Sequence, residues 1–186
     1  RELGVDVDDD PERVPAILAR LKELEHRGYH FEVADGSFEL LLERETGVYE
    51  PLFVLETFRV ITEKRADGRV ETEATVKLFH GGERLIATAE GNGPVNALDA
   101  ALRSALEARV PELRDIRLVN FKVRILDETK GTAAVTRVLI DSADGHETWG
   151  AIGVSENVIE ASWEALLDSL EHGVRRISRA RAAAAG

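Results

Sequence analysis

The run Gly91-Asn92-Gly93-Pro94-Val95-Asn96-Ala97 holds the residues best spaced for chemistry. It closes a strand-like stretch and opens a helical one. A turn at that place presents unpaired backbone N–H groups at the positive end of a helix. Such an end can hold a small carboxylate or phosphate. The donors would be the N–H groups of Asn92, Gly93 and Val95, since Pro94 has none. The competing reading is a strand-to-helix turn that needs only a flexible backbone. An altered copy, Gly153-Val154-Ser155-Glu156-Asn157-Val158, follows one repeat later, and its Glu156 would repel a carboxylate. Two copies point to a duplicated module with a ligand or partner role rather than to a complete enzyme.

Other chemistry finds little support. His26, His30, His80, His146 and His172 are scattered. Only His26 and His30 are spaced like ligands, and the helix-ending Gly28 lies between them. The G-x-G-x-x-G spacing of a dinucleotide fold fails, and no Gly-Lys-Ser/Thr completes a phosphate loop. There is no G-x-S-x-G, H-E-x-x-H or triad. Glu90 and Asp99 are the carboxylates that an acid–base reading would need, but acidic residues fall mainly on outer strand faces and read as solvated charge. Trp149 and Trp163 sit on apolar faces and read as core.

Composition narrows the partners. The chain has 186 residues, a formal net charge of −11 and no cysteine. That balance argues against nucleic acid, which requires clustered Lys and Arg. The one basic cluster, Arg175 to Arg181, reads as a solvated helix end. Without cysteine there are no disulfides, thiolate catalysis or Cys-ligated metals, in keeping with a cytoplasmic setting. No apolar run approaches the roughly 20 residues that span a bilayer, and no signal peptide is evident. The chain begins at Arg1 and has no Met, so it reads as a piece of a longer polypeptide.

The hydrophobic periods give the elements that must position the loop. Asp9 or Asp10 can cap a first helix with Pro11 in its first turn. Val14, Ile17, Leu18, Leu21 and Leu24 form one face of it, up to Gly28. Asp35-Gly36-Ser37 opens a second helix that ends near Gly47. From residue 53 the period becomes two. Phe58, Val60 and Thr62, then Val70 to Leu78, then Leu85, Ala87 and Ala89 read as three strands, turning at Asp67-Gly68 and Gly81-Gly82. A helix follows, with Val95, Leu98, Leu102 and Ala105 on one stripe to about Arg109. The order repeats: strands at Val119–Ile125, Ala134–Ile140 and around Trp149, then a helix striped by Ile159, Trp163, Leu166 and Leu170. Matching Gly91 with Gly153 and Asn96 with Asn157 sets the repeats about 61 to 62 residues apart. The expected fold is α+β: two βββα repeats, about 53–112 and 113–178, related by a pseudo-twofold axis. A helical linker over 1–50 precedes the main domain, 51–186. Sheet faces left uncovered would favour a homodimer.

These residues also carry a resemblance. Leu21–Tyr29 and Ala34–Leu41 resemble the segment that follows the catalytic barrel in citramalate synthases. Glu90–Leu102 looks like the signature of the C-terminal regulatory domain shared with 2-isopropylmalate synthases. Gly131–Val138 and Trp149–Trp163 are similar to the citramalate-synthase version. The resemblance covers about residues 14–175. It implies a LeuA-type allosteric and dimerisation domain, which binds the pathway's end-product amino acid near a dimer interface. The effector would be isoleucine in the citramalate branch or leucine in the isopropylmalate branch. The acyltransferase barrel, which condenses acetyl-CoA with pyruvate or another 2-oxo acid, would lie elsewhere in the polypeptide with its divalent metal. No cofactor is expected in this chain. The resemblance places Gly91, Asn92, Gly93, Pro94, Val95, Asn96 and Ala97 at the effector, with Thr132, Ala133 and Ala134 from the other repeat. Asp127 is the candidate for the effector's ammonium group. A purely structural dimerisation module stays open as the alternative.

Overall fold

The computed structural model describes residues 13–185. The cap expected at Asp9 or Asp10 lies outside them. Helix α1 is Arg13–His26 and α2 is Asp35–Thr46. The first repeat is β1 (Val54–Lys64), β2 (Val70–His80), β3 (Glu83–Gly91) and α3 (Pro94–Leu106). The second is β4 (Arg117–Ile125), β5 (Thr136–Ala143), β6 (Thr148–Ser155) and α4 (Val158–Ala185). Each sheet is an antiparallel meander, ordered β1-β2-β3 and β4-β5-β6. This is the expected α+β fold of two βββα repeats.

Alternation explains the sheets. Thr72, Ala74, Val76 and Leu78 are buried along β2 as the period-two pattern requires, while Val70 at its start is exposed. Gly81 and Gly82, both at positive φ, make the tight β2–β3 turn that a side chain would strain. In the second repeat the β4–β5 connection is longer and holds a 3-10 turn, Glu128–Ala133, so Ala134 precedes β5 instead of lying in it.

One core joins the repeats. Val76 and Leu78 of β2, Leu98, Leu102 and Leu106 of α3, Val138 and Ile140 of β5, and Leu166 and Leu170 of α4 belong to a single buried cluster. Each helix packs on the last two strands of its own sheet, and α3 also meets α4. Neither unit could bury its faces alone, so the duplication is structural.

The helical segment sits on the second repeat. Ser37 Oγ accepts a bond from Ile152 N at 3.0 Å, and Asp35 Oδ1 accepts one from Gly150 N at 2.7 Å. The approach is close enough that a Cβ on Gly150 would lie 2.1 Å from Val33 O. The α1 stripe is narrower than its sequence suggests: Ile17 and Leu24 are buried, but Val14 and Leu18 are exposed. Helix α3 stops at Leu106, short of Arg109, and α4 runs to Ala185, beyond 178.

Candidate functional site

The two helix starts differ. Asn157 caps α4: its Oδ1 accepts from Ile159 N at 2.9 Å and Glu160 N at 3.4 Å. Ser155 Oγ accepts from Asn157 N at 3.1 Å. This end is closed by its own side chains. At α3 the cap position is Gly93, and no side chain caps the helix. Asn96 Oδ1 reaches back instead to accept from Asn92 N at 3.0 Å, so that N–H is engaged inside the loop. Gly91 is fixed by crowding, since a Cβ there would meet Ala97 N at 2.4 Å, whereas Gly93 faces open space. Ala97 is fully buried beneath the loop. Asn157 thus stands where the first repeat has Gly93, not where it has Asn96. The match drawn from the sequence was displaced because Asn96 and Asn157 share a residue type and not a position.

The correct register exposes a second difference. A bulge interrupts β1 between Leu55 and Thr57, and β4 between Leu118 and Asn120. After each bulge comes a phenylalanine in an equivalent row, Phe58–Val76–Ala87 and Phe121–Ile140–Ala151. The sixth residue of α4 is Trp163, and the sixth of α3 is Asp99. Trp163 stacks on Phe58 with ring centroids 4.9 Å apart and meets Phe53 edge-on at 6.1 Å. It is 4% exposed. The indole fills that seam between the repeats. In the other seam the helix presents Asp99, and Phe121 is left 39% exposed. A cleft of about 430 Å³ remains there.

Val95, Asn96, Asp99 and Arg103 of α3 form one wall of this cleft, and Ile116, Arg117, Leu118 and Phe121 the other. Arg103 Nε donates to Asp99 Oδ1 at 2.9 Å, and its Nη1 donates to Leu113 O at 2.6 Å. Burial raises the Asp99 carboxyl above the usual range, and Arg103 offsets this only in part. The site is amphipathic, with an apolar floor, a helix start and a half-buried ion pair.

Of the residues named from sequence, Val95 and Asn96 line the cleft. Asp127, Thr132, Ala133 and Ala134 do not line it. They follow Ile125 at the far end of β4 from Leu118 and Phe121. Asp127 is engaged locally, by Thr129 Oγ1 at 2.6 Å and Lys130 Nζ at 3.3 Å, which hold its carboxyl low. In the sequence Asp99 stands out only as one of the carboxylates, with Glu90, of an acid–base reading. Arg103, Ile116, Leu118 and Phe121 gave no signal there. Aligning the repeats on their helix starts would have set Asp99 against Trp163.

Helix α4 also carries a polar strap. Glu164, Asp168 and Glu171 lie along one side of it. Tyr29 OH donates to Glu164 at 3.0 Å, Arg44 Nη2 to Asp168 at 2.7 Å, and Tyr49 OH to Glu171 at 2.6 Å. Burial raises all three carboxyls. Further along, Arg175 and Arg179 pair with Glu43 of α2, Arg176 with Asp144 and Glu147, and Arg181 with Glu112 and Asp115. Arg175 and Arg176 are therefore bolts to neighbouring elements, while Arg179 and Arg181 form surface pairs at the exposed helix end. The sequence could not show this, because the acidic partners come from distant segments. Among the described residues no group of three or more His, Cys, Asp and Glu could hold a metal ion, and no helix is long and apolar enough to cross a membrane.

Comparison with known proteins agrees with this architecture. The chain is 53% identical over 177 residues to an (R)-citramalate synthase of Streptomyces coelicolor, covering 95% of this chain and 33% of that protein. It is 47% identical over 171 residues to that of Aquifex aeolicus, covering 91% and 32%. It is 47% identical over 176 residues to that of Geobacter sulfurreducens, covering 94% and 33%. The chain thus spans about a third of the length of the curated relatives it matches. The family model described as the LeuA allosteric (dimerisation) domain matches residues 32–174. With that span inside its two repeats and α2, the chain belongs to the LeuA allosteric (dimerisation) domain family.

Proposed function

We propose that this chain is the C-terminal allosteric domain of a citramalate synthase-like enzyme, binding isoleucine for feedback inhibition and joining two protomers. The catalytic barrel of the same polypeptide would condense acetyl-CoA with pyruvate and would hold the divalent metal. The observation that carries the reading is the open start of α3 beside an amphipathic cleft, where the equivalent start of α4 is capped by Asn157. An amino acid suits such a site. Its carboxylate can meet the backbone between Gly91 and Ala97, and its branched side chain can meet Val95 and Phe121.

Uncovered apolar residues support self-association. Val119, Phe121, Val123 and Ile125 of β4 are all exposed, as are Ile61 and Ile86 on the first sheet. A surface of that kind marks an interaction site. In such a dimer the partner's Asp127, Thr132, Ala133 and Ala134 would complete the effector site across the interface. The strap along α4 would pass the signal to the helical segment and on to the barrel. Coupling of this kind is reciprocal, so substrate on the barrel would weaken the effector, by roughly 1–3 kcal/mol.

Titration calorimetry of isoleucine and leucine against the chain, with its mass in solution measured alongside, tests the reading. A dimer that gives saturable heat with isoleucine is expected. A dimer with heat from neither amino acid would favour the purely structural module, whose one support is the Asn92–Asn96 bond that ties the loop to itself. Saturation by leucine alone would move the chain to the isopropylmalate branch.

A further inference from the structure

We infer that the α3–β4 cleft is a vacated tryptophan seat, and that Asp99 binds the ammonium group of the amino acid that fills it while Phe121 bears its side chain. The inference rests on the regulatory reading above and deepens it.

Equivalent rows of two sheets end in Phe58 and Phe121, and equivalent helix positions hold Trp163 and Asp99. In one seam the protein supplies its own aromatic plug. In the other it supplies a carboxylate, and the space is left as a cleft. An indole buries a large apolar area, so the seat it leaves is the right shape for a branched aliphatic chain lying on a ring. Asp99 changes the chemistry of that seat from purely apolar to apolar with one anionic corner. Its Oδ1 is held by Arg103, whose guanidinium is also tied to Leu113 O, so the carboxylate is fixed in place. Burial raises its carboxyl above the usual range, and a second cation brought by the ligand would favour the charged form. Asp99 lies one helical turn, about 5.4 Å, from Val95. The carboxylate and ammonium of one α-amino acid bridge such a span when each makes a hydrogen bond. Asp99 on this view selects amino acids over the 2-oxo acids that share their carbon skeletons.

The test uses the full 186-residue chain. Isoleucine and its deaminated analogue 3-methyl-2-oxopentanoate are titrated into the unmodified protein, Asp99→Asn and Phe121→Ala. Asp99→Asn is expected to weaken isoleucine tenfold or more and to leave the 2-oxo acid within about twofold. Phe121→Ala, at a partly exposed position, is expected to weaken both. It keeps the test decisive should Asp99→Asn fail to fold. If isoleucine binds the unmodified chain and neither variant alters its affinity, the inference is overturned and the regulatory reading stands. If the variants shift only the monomer–dimer balance, the cleft seats the partner protomer and the inference is overturned. If no amino acid binds the unmodified chain, the regulatory reading fails and takes this inference with it.

Discussion

The two seams between the repeats are built on one plan and finished differently. Trp163 closes the first against Phe58 and Phe53, and Asn157 closes the helix start above it. Asp99 and Gly93 hold the same places in the second, and neither closes anything. A duplication offers two copies of one seam. Here one copy is filled with a tryptophan and closed by a cap, and the other is left as an open cleft. The difference lies in two residue types at equivalent positions, with the strand register around them unchanged.

The comparison breaks most visibly at the indole. Trp163→Ala should cost about 3–5 kcal/mol, read from denaturant midpoints, while Phe121→Ala should cost well under half of that because its ring is already 39% exposed. Equal losses would show that the second seam is as closed as the first. Next in size are the caps. Asn157→Ala should lose about 1 kcal/mol. Gly93→Asp has room for its side chain and should gain a few tenths of a kcal/mol by capping α3. Its more telling effect is on binding: a self-supplied carboxylate at that helix start should abolish isoleucine heat. Stability gained with binding unimpaired would place the effector elsewhere.

Much of this was legible in the sequence, for physical reasons that can be named. Alternation along Thr72, Ala74, Val76 and Leu78 and the helical stripes at Leu98 and Leu166 depend only on local period, so both repeats could be read. Asp67-Gly68 and Gly81-Gly82 marked two of the turns because glycine alone readily takes the positive φ they need. The register between repeats was harder. Gly153 resembles Gly91 by type, yet Ala89 is its partner by position, because Ala74 pairs with Ala89 and Val138 with Gly153. That two-residue slip hid the Asp99–Trp163 correspondence. The strap was illegible because Arg44 and Asp168, or Arg179 and Glu43, meet only after α2 has folded onto α4. The notion of Asp127 as an ammonium partner rested on resemblance, and within one protomer that residue is turned to Thr129 and Lys130.

The smallest effect concerns the strap. Glu164, Asp168 and Glu171 have raised carboxyl values in the folded chain, chiefly through burial. The folded state therefore holds their protons more tightly than the unfolded state does. Stability from these groups is present at low pH and is lost as pH rises from the ordinary carboxylate range, about 4, through their raised values. Thermal melting should accordingly shift downward as pH is raised from about 4. Carboxyls held low, such as Asp144 and Asp127, act in the opposite sense at more acid pH. Glu164→Gln should flatten the first slope. An unchanged slope in that variant would remove Glu164 from the explanation and leave the contrast between seams intact.

A crystal structure of the chain grown with isoleucine addresses the central contrast most directly. The account predicts one amino acid per protomer, lying on Phe121 with its ammonium at Asp99, and Trp163 still stacked on Phe58. An amino acid beside Asn157 in place of the indole, or two per protomer, would contradict it.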